Sequence, residues 1–203
     1  MIITEMIPVT KQKVRIVTDE KLAFVLYKGE LSRYKLETGK EITEEVFEKI
    51  QKEVLIKRAK LRAMHLLTKM DYTEADLYRK LMKGEYTKEA VDIAMDYVRS
   101  YHYLDDERYA ARYLAGQSRG KSIRQMEFEL ERKGVSREII AACKEGMEDL
   151  DETALIRKLL EKRCPHPEMA DGKEKNRHYG FLVRKGFQME DISQVFQEYF
   201  SRF

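Results

Sequence analysis

Two clusters of basic side chains are the features of the sequence that most suggest binding chemistry. The first lies between residues 119 and 133, and the second lies between residues 173 and 185. Clustered cations of this kind can bind phosphate groups or an acidic protein surface by electrostatic attraction. The candidate binding residues are Arg119, Lys121, Arg124, Arg132, Lys133, Lys173, Lys175, Arg177, Arg184 and Lys185.

Acidic residues interrupt the two clusters to different degrees. Glu127, Glu129 and Glu131 lie among the first cluster, whereas Glu174 is the one acidic residue within the second. A solvated helix face is the alternative interpretation of both clusters. The chain carries 39 basic and 36 acidic residues, for a net charge of +3, which is too balanced for a protein that coats DNA by charge alone.

Asp105 and Asp106 form an acidic pair that could bind a metal ion. No third acidic or histidine ligand follows at helical spacing, so a metal site is not the favoured interpretation. The pair is better explained as the N-cap and first turn of a helix that carries Tyr109, where the helix dipole favours negative charge. We therefore assign Asp105 and Asp106 to the fold.

The sequence contains no recognised motif of a catalytic or metal site. Cys143 and Cys164 belong to no CxxC pair, and Cys164 with His166 would supply two of the four ligands that zinc needs. No HExxH, P-loop or GxSxG pattern occurs. We therefore predict no catalytic residue, no metal and no cofactor, and a protein that is not an enzyme.

Five of the 12 tyrosines cluster in the middle of the chain. Exposed tyrosine rings next to nucleic acid can stack on its bases. Packing between structural units is the favoured interpretation, because aromatic rings fill large apolar spaces. The five residues are Tyr97, Tyr101, Tyr103, Tyr109 and Tyr113.

The elements that position these residues begin with a β-containing segment. Val14, Ile16 and the run of residues 23–27 are β-prone, and residues 18–21 between them are turn-like. We predict a small β-hairpin within residues 10–35. From Thr43 onward, apolar residues recur at spacings of three, four or seven, which predicts one long helix, or two with a bend, over residues 43–70.

A repeat with a period near 50 residues follows the long helix. Leu81 and Leu130 are 49 residues apart, as are Thr73 and Ser122, and Leu182 lies 52 residues beyond Leu130. A constant period with the same internal spacing is typical of stacked helical units. The fold class is therefore mainly α, with three units of three helices in an elongated, curved array.

Start and turn signals recur in each unit. Ser122 is a predicted N-cap, and Gln125 stands three residues later, where it could complete a capping box. Gly134 and Gly186 stand where the C-terminus of a helix needs a left-handed residue. The positions that we assign to the fold rather than to binding are Asp105, Asp106, Tyr109, Ser122, Leu130, Gly134 and Gly186.

The predicted organisation has four parts. They are an N-terminal β-containing segment over residues 1–42, a first repeat with its lead helix over 43–104, a second repeat over 105–148 and a third over 149–203. No apolar run approaches the roughly 20 residues of a membrane span, and the first residues do not resemble a signal peptide. We therefore predict a cytoplasmic protein that does not bind membranes. We also predict a monomer, because a capped repeat array needs no partner for its core.

Several segments of the repeats resemble the RecX family, the regulators of the RecA recombinase. They are YLDDERYA at 103–110, GKS at 120–122, ELERKGV at 129–135 and GFLVRKGF at 180–187. The resemblance covers about residues 55–203 and includes the order, the spacing and the repeat period. The N-terminal extension is only loosely similar to the β-containing lead of longer family members.

The resemblance implies tandem three-helix repeats that dock along the groove of a RecA filament on DNA. It implies a regulator, usually an inhibitor, of filament growth, strand exchange and ATP hydrolysis, with the RecA filament as partner and weak binding to single- or double-stranded DNA. Two other classes stay open on the residues alone. One is a helical DNA-binding protein that reads duplex DNA, with Arg124 and Gln125 as candidates, and the other is a helical scaffold for proteins.

Overall fold

The chain folds as two compact units, Met1–Asp105 and Asp106–Phe203. The computed structural model describes residues 1–117, 120–145 and 151–201. Arg119 and the predicted boundary between the second and third repeats lie outside the described residues. The predicted domain boundaries and the curvature of the array stay predictions.

A three-stranded antiparallel sheet opens the first unit. It consists of β1 (Ile3–Pro8), β2 (Lys13–Thr18) and β3 (Ala23–Tyr27), in the order β1-β2-β3. Val14 and Ile16 of β2 face the core, and Ile16 lies opposite the buried Phe24 of β3. The predicted hairpin is therefore present as β2 and β3. The strand β1 was missed because it lacks alternation, with only Ile3 buried, and ends at a proline.

The helical prediction over residues 43–70 agrees with the structure. This part consists of α2 (Glu44–Ile50), a π-helix (Gln51–Leu55) and α3 (Ile56–Leu67), and a short helix, α1 (Lys28–Tyr34), precedes it. The side chain of Gln51 is buried, and both of its ends are satisfied. It accepts a hydrogen bond from the Thr87 hydroxyl at 2.9 Å and donates one to Glu89 at 3.1 Å. These bonds tie the long helix to the third helix of the first repeat.

The first repeat shares one core with the sheet. It consists of α3, α4 (Glu74–Met82) and α5 (Lys88–Ser100). Thr73 caps α4 by accepting a hydrogen bond from the backbone nitrogen of Asp76 at 3.1 Å, as its type and position predict. The left-handed residue after α4 is Glu85, with φ of 59°, where the later repeats have glycine. The Glu85 carboxylate pairs with Arg15 of β2, which fixes the sheet against the repeat.

The second unit contains two repeats with separate cores. Its helices are α6 (Asp106–Gln117), α7 (Ile123–Arg132), α8 (Arg137–Glu145), α9 (Glu152–Arg163), α10 (Gly172–Arg184) and α11 (Met189–Phe200). The leucines that set the predicted period, Leu130 and Leu182, are both fully buried, each in its own core. Gly134 and Gly186 have φ of 88° and 82°, so both predicted left-handed positions are confirmed.

Candidate interaction surfaces

The acidic residues of α7 are neutralised by cations from other parts of the unit. Glu127 pairs with Lys144 of α8 at 2.8 Å, and Glu131 pairs with Arg137 at 2.8 Å. Glu129 pairs with Lys121, which precedes the helix. The three glutamates that lie among the first basic cluster in the sequence therefore each form an ion pair within the molecule.

One exposed row of side chains remains on α7. Arg124, Phe128 and Arg132 are spaced four residues apart, so they lie on one face of the helix, and all three are exposed. The Phe128 ring is 60% exposed, and the Arg132 guanidinium lies 6.0 Å from its centroid. We call these three residues the α7 row. It combines positive charge with an exposed aromatic ring, which suits contact with an anionic partner.

Lys121 belongs to a three-residue network rather than to the α7 row. Its ammonium lies 3.2 Å from the Tyr113 hydroxyl, and both groups donate hydrogen bonds to the Glu129 carboxylate. The bond to Glu129 raises the pKa of Lys121. Burial acts to raise the pKa of Glu129, but the hydrogen bonds from Lys121 and Tyr113 outweigh it and hold that pKa below the ordinary 4.5.

The lowered pKa of Glu129 predicts a loss of stability in acid. A carboxylate with a lowered folded pKa stabilises the fold above its unfolded pKa, and that contribution disappears as the pH falls through the folded value. We expect Glu129→Gln to lower the urea midpoint at about pH 7 and to reduce its further fall on acidification below about pH 4.5. Circular dichroism across a urea titration at each pH measures this.

Glu131→Gln on the same helix is the matched control. Its partner Arg137 has a side chain that is 82% exposed, so solvent screens the pair and little stability depends on it. An equal effect of both substitutions at both pH values would contradict a stabilising role of the Glu129 network.

The helix α10 carries a second exposed row of cations. Lys173, Arg177 and Arg184 are spaced four and seven residues apart, which places them on one face of the helix, and all three are exposed. Among the residues that the structure describes, none of the three forms an ion pair. We call these residues the α10 row. It is a surface of unneutralised positive charge.

The other candidate lysines of the third repeat point to internal partners. Lys175 is half-buried, with its ammonium 4.9 Å from the centroid of the Phe200 ring. Lys185 is also half-buried, and its ammonium donates a 2.7 Å hydrogen bond to the carbonyl of Gly120. Lys175 thus contacts a ring within the third repeat, and Lys185 joins the third repeat to the second. Both residues therefore contribute less charge to the surface than their sequence position suggests.

Lys133, another candidate basic residue, is half-buried and belongs to neither exposed row. Lys133 directly follows α7 as its C-cap residue, and its ammonium lies 5.5 Å from the centroid of the Tyr109 ring. Tyr109 in turn packs on the core of the second repeat.

Asp106 is the first residue of α6, and Asp105 directly precedes it, as expected for residues assigned to the start of a helix. No group of three or more histidine, cysteine or acidic residues that could hold a metal occurs within the described part of the chain.

Ser122 and Gly186 meet at the junction between the second and third repeats. The Ser122 hydroxyl accepts a hydrogen bond from the backbone nitrogen of Gln125 at 3.1 Å, which confirms the predicted cap, and donates one to the carbonyl of Lys185 at 2.7 Å. A Cβ atom on Gly186 would lie 2.7 Å from the Ser122 hydroxyl oxygen. The side-chain nitrogen of Gln125 donates a hydrogen bond to Glu129 at 3.3 Å, and its oxygen is buried with no partner among the described residues, so the predicted capping box is not seen there.

Glu152 adds a second bond across this junction, and it was not singled out from the sequence. Its carboxylate accepts a 2.6 Å hydrogen bond from the backbone nitrogen of Ile123, at the start of α7. Burial raises the pKa of Glu152, against the effect of that bond. Sequence spacing carried no signal for this contact, because Ile123 and Glu152 are 29 residues apart and belong to different repeats.

These features define a class of protein: a tandem three-helix repeat protein with a small N-terminal sheet and exposed basic helix faces. Family models match each repeat separately. They are the first RecX three-helix domain at residues 59–97, the second at 105–143 and the third at 150–196. The chain therefore belongs to the RecX family of regulatory proteins.

Similar proteins support this assignment. Regulatory protein RecX of Trichlorobacter lovleyi is 36% identical over 143 residues, which cover 68% of this chain and 93% of that protein. Regulatory protein RecX of Shigella boydii serotype 18 is 34% identical over 151 residues, which cover 68% and 89%. A crystal structure of regulatory protein RecX has a TM-score of 0.62 at 22% identity and covers 95% of this chain and 97% of its own. This structural likeness shows the fold.

No helix among the described residues has both the length and the apolar content needed to cross a membrane.

Proposed function

We propose that this chain regulates the RecA recombinase by binding the RecA filament on DNA. Binding would change filament assembly and thereby ATP hydrolysis and strand exchange, with inhibition as the expected direction. This proposal rests on membership of the RecX family and on the α10 row. Three exposed cations without ion pairs, on one helix face of the described structure, suit the phosphates or acidic side chains of a protein–DNA filament.

The charge balance favours a filament over bare DNA as the partner. A net charge of +3 gives little general attraction to DNA, so affinity needs several local contacts made at once. A filament repeats its subunit surface along its length, and a chain of repeats can contact more than one subunit. Weak binding to single- or double-stranded DNA alone is expected to accompany this mode. We also propose that the protein acts as a monomer in the cytoplasm.

The structure gives little support to a protein that reads the sequence of duplex DNA. Such a protein needs polar side chains that project from one helix toward the edges of the bases. Arg124 is exposed, but the amide of Gln125 is half-buried and bonded to Glu129. The candidate reading pair therefore offers one available side chain rather than two.

A measurement of ATP hydrolysis by RecA tests the proposal. The reaction contains single-stranded DNA and RecA from the same organism, with this protein added at less than one copy per RecA subunit. We expect suppression at this ratio, because one bound regulator that alters assembly affects many subunits. No effect on hydrolysis, together with tight binding to one duplex sequence, would support a DNA-reading protein instead. No effect with no binding to any nucleic acid would support a scaffold.

A further inference from the structure

Three tyrosine rings adjoin one another at the end of the first repeat. The rings of Tyr97 and Tyr101 are tilted by 57° with centroids 4.9 Å apart, and the rings of Tyr101 and Tyr103 are stacked, with centroids 5.9 Å apart and an interplanar angle of 18°. Tyr101 is 56% exposed and Tyr103 is 45% exposed. We call these three residues the tyrosine ladder. Of the five tyrosines for which packing between units was favoured, Tyr97, Tyr109 and Tyr113 pack on the core of their own unit, whereas Tyr101 and Tyr103 are exposed.

The backbone conformation after α5 fixes the position of Tyr103, the last residue of the tyrosine ladder. The chain reverses after α5 at His102, which has φ of 54°, a left-handed conformation that L residues rarely adopt. The backbone nitrogens of His102 and Tyr103 donate to the carbonyls of Arg99 at 2.8 Å and Val98 at 3.1 Å. This pair of bonds is a Schellman motif, which fixes the direction of the chain after the helix. The ring of Tyr103 is thereby directed onto the ring of Tyr101 without being buried.

Positive charge lies beside the ladder. The Lys60 ammonium of α3 lies 4.7 Å from the centroid of the Tyr97 ring. Lys57 is exposed one helical turn earlier on the same face of α3, and it forms no ion pair within the described part of the chain. Arg99 pairs with both Glu74 at 2.7 Å and Asp96 at 2.9 Å, so its single charge balances one of these two carboxylates, and the exposed Asp105 follows Tyr103 by two residues. The positive charge beside the rings is therefore that of Lys57 and Lys60, and the rings together with these lysines suit an anionic ligand with flat apolar groups.

We infer that the tyrosine ladder binds single-stranded nucleic acid by stacking its exposed rings on unpaired bases. A single strand supplies both components of such a ligand, because its bases are free to stack and its phosphates are anionic. A duplex does not, because its bases are already stacked on each other. The phosphate backbone would pass along Lys57 and Lys60. This site belongs to the first unit, whereas the α7 and α10 rows belong to the second, and its binding to bare single strands needs no RecA.

The chain offers a direct spectroscopic test, because it contains no tryptophan. Tyr101→Trp introduces a single tryptophan reporter into the ladder of the full-length protein. We expect its fluorescence to be quenched by a thymidine oligonucleotide of about 15 nucleotides, and not by an abasic strand with the same number of phosphates. Equal quenching by both strands, or quenching by neither, would show that bases do not stack here and would overturn the inference.

Affinity measurements with leucine variants provide a second, independent test. Tyr101→Leu combined with Tyr103→Leu keeps apolar bulk at two exposed positions but removes the ring faces, so the fold is expected to survive. We expect about tenfold weaker binding to the thymidine oligonucleotide, while Tyr101→Phe, which keeps the ring, binds as the parent does. Parent-like affinity of the leucine variant would overturn the inference and direct attention to a protein ligand. Because the assay contains no RecA, its failure is distinguishable from a failure to suppress ATP hydrolysis.

Discussion

Replacing Arg177 and Arg184 together by glutamate is expected to abolish most of the suppression of RecA ATP hydrolysis. The two guanidinium groups are exposed on one face of α10 and have no ion-pair partner in the described structure. Reversal replaces attraction to an anionic partner by repulsion, which costs several kcal/mol when like charges meet at an interface. We expect the concentration needed for half-maximal suppression to rise by about a hundredfold at low salt. Titration of the ATPase reaction measures this.

Salt dependence separates a contact with phosphate from a general loss of activity. Each phosphate contact that is lost reduces the slope of log affinity against log salt by about 0.9. The Arg177 and Arg184 variant should therefore bind DNA-bound RecA with a shallower salt dependence than the parent if both side chains contact the DNA backbone. An unchanged slope with weaker binding would instead point to acidic side chains of RecA as the contact.

A matched control is available on the neighbouring helix. Lys158 and Lys162 of α9 are exposed, lie four residues apart, and form no ion pair among the described residues. Their joint replacement by glutamate changes the net charge by the same amount at another face of the same repeat. We expect this variant to suppress ATP hydrolysis nearly as the parent does. Suppression by the α10 variant equal to that by the control would contradict a role of the α10 row.

Lys185 is unsuitable for this test, although its sequence position next to Arg184 suggests an equal role. Its ammonium bonds the carbonyl of Gly120, and its own carbonyl accepts a bond from Ser122. Reversing its charge would break contacts between the second and third repeats. A loss of function would then have two explanations, the loss of surface charge and the loss of the junction.

Local signals in the sequence were sufficient to predict the helices of the repeats. Caps such as Thr73 and Ser122 and left-handed glycines such as Gly134 act within a few residues, so their spacing carries the information. The π-helix and the absent capping box of Gln125 were not predictable in this way. Gln51 of the π-helix contacts Thr87, which is 36 residues away, and the side chain of Gln125 bonds Glu129 instead of the helix start; the local spacing does not indicate either contact.

The surface charge could not be predicted from the sequence for the same physical reason. Whether Arg124 belongs to a basic surface depends on the partners of Glu127, Glu129 and Glu131, and Lys144 is 17 residues from Glu127. The exposure of the tyrosine ladder likewise depends on the chain reversal at His102, and a histidine at this position does not predict a left-handed backbone conformation. The clustering of basic residues in the sequence identified the candidate binding residues. The tertiary contacts then distinguished exposed cations, such as Arg177, from cations with partners inside the molecule, such as Lys185.

Gly186→Ala is expected to destabilise the second unit more than Gly39→Ala destabilises the first. Both glycines have φ of 82°, so both substitutions carry the same left-handed cost of about 1 kcal/mol. They differ in their surroundings, because a Cβ on Gly39 meets nothing within 4 Å, whereas a Cβ on Gly186 meets the Ser122 hydroxyl oxygen at 2.7 Å. We expect a further cost of about 1–3 kcal/mol at Gly186 from this overlap.

Hydrogen exchange measured by mass spectrometry is suited to this comparison, because it reports on each unit separately. Protection in α7 and α10 should fall in the Gly186 variant, while the peptides of the first unit keep their protection. Gly39→Ala should change only the first unit, and by less. Equal losses of stability in the two variants would contradict a close contact between Gly186 and Ser122.

A double-mutant cycle identifies the partner of the overlap. Ser122→Ala alone removes the cap of α7 and the bond to the Lys185 carbonyl, at a cost of about 1–2 kcal/mol. In the Gly186→Ala background the same substitution also removes the oxygen that the new methyl group would meet, so it should cost less. Non-additivity of this sign is expected only if the Ser122 hydroxyl occupies the space that glycine leaves open. Additive effects would locate the strain in the backbone of Gly186 alone.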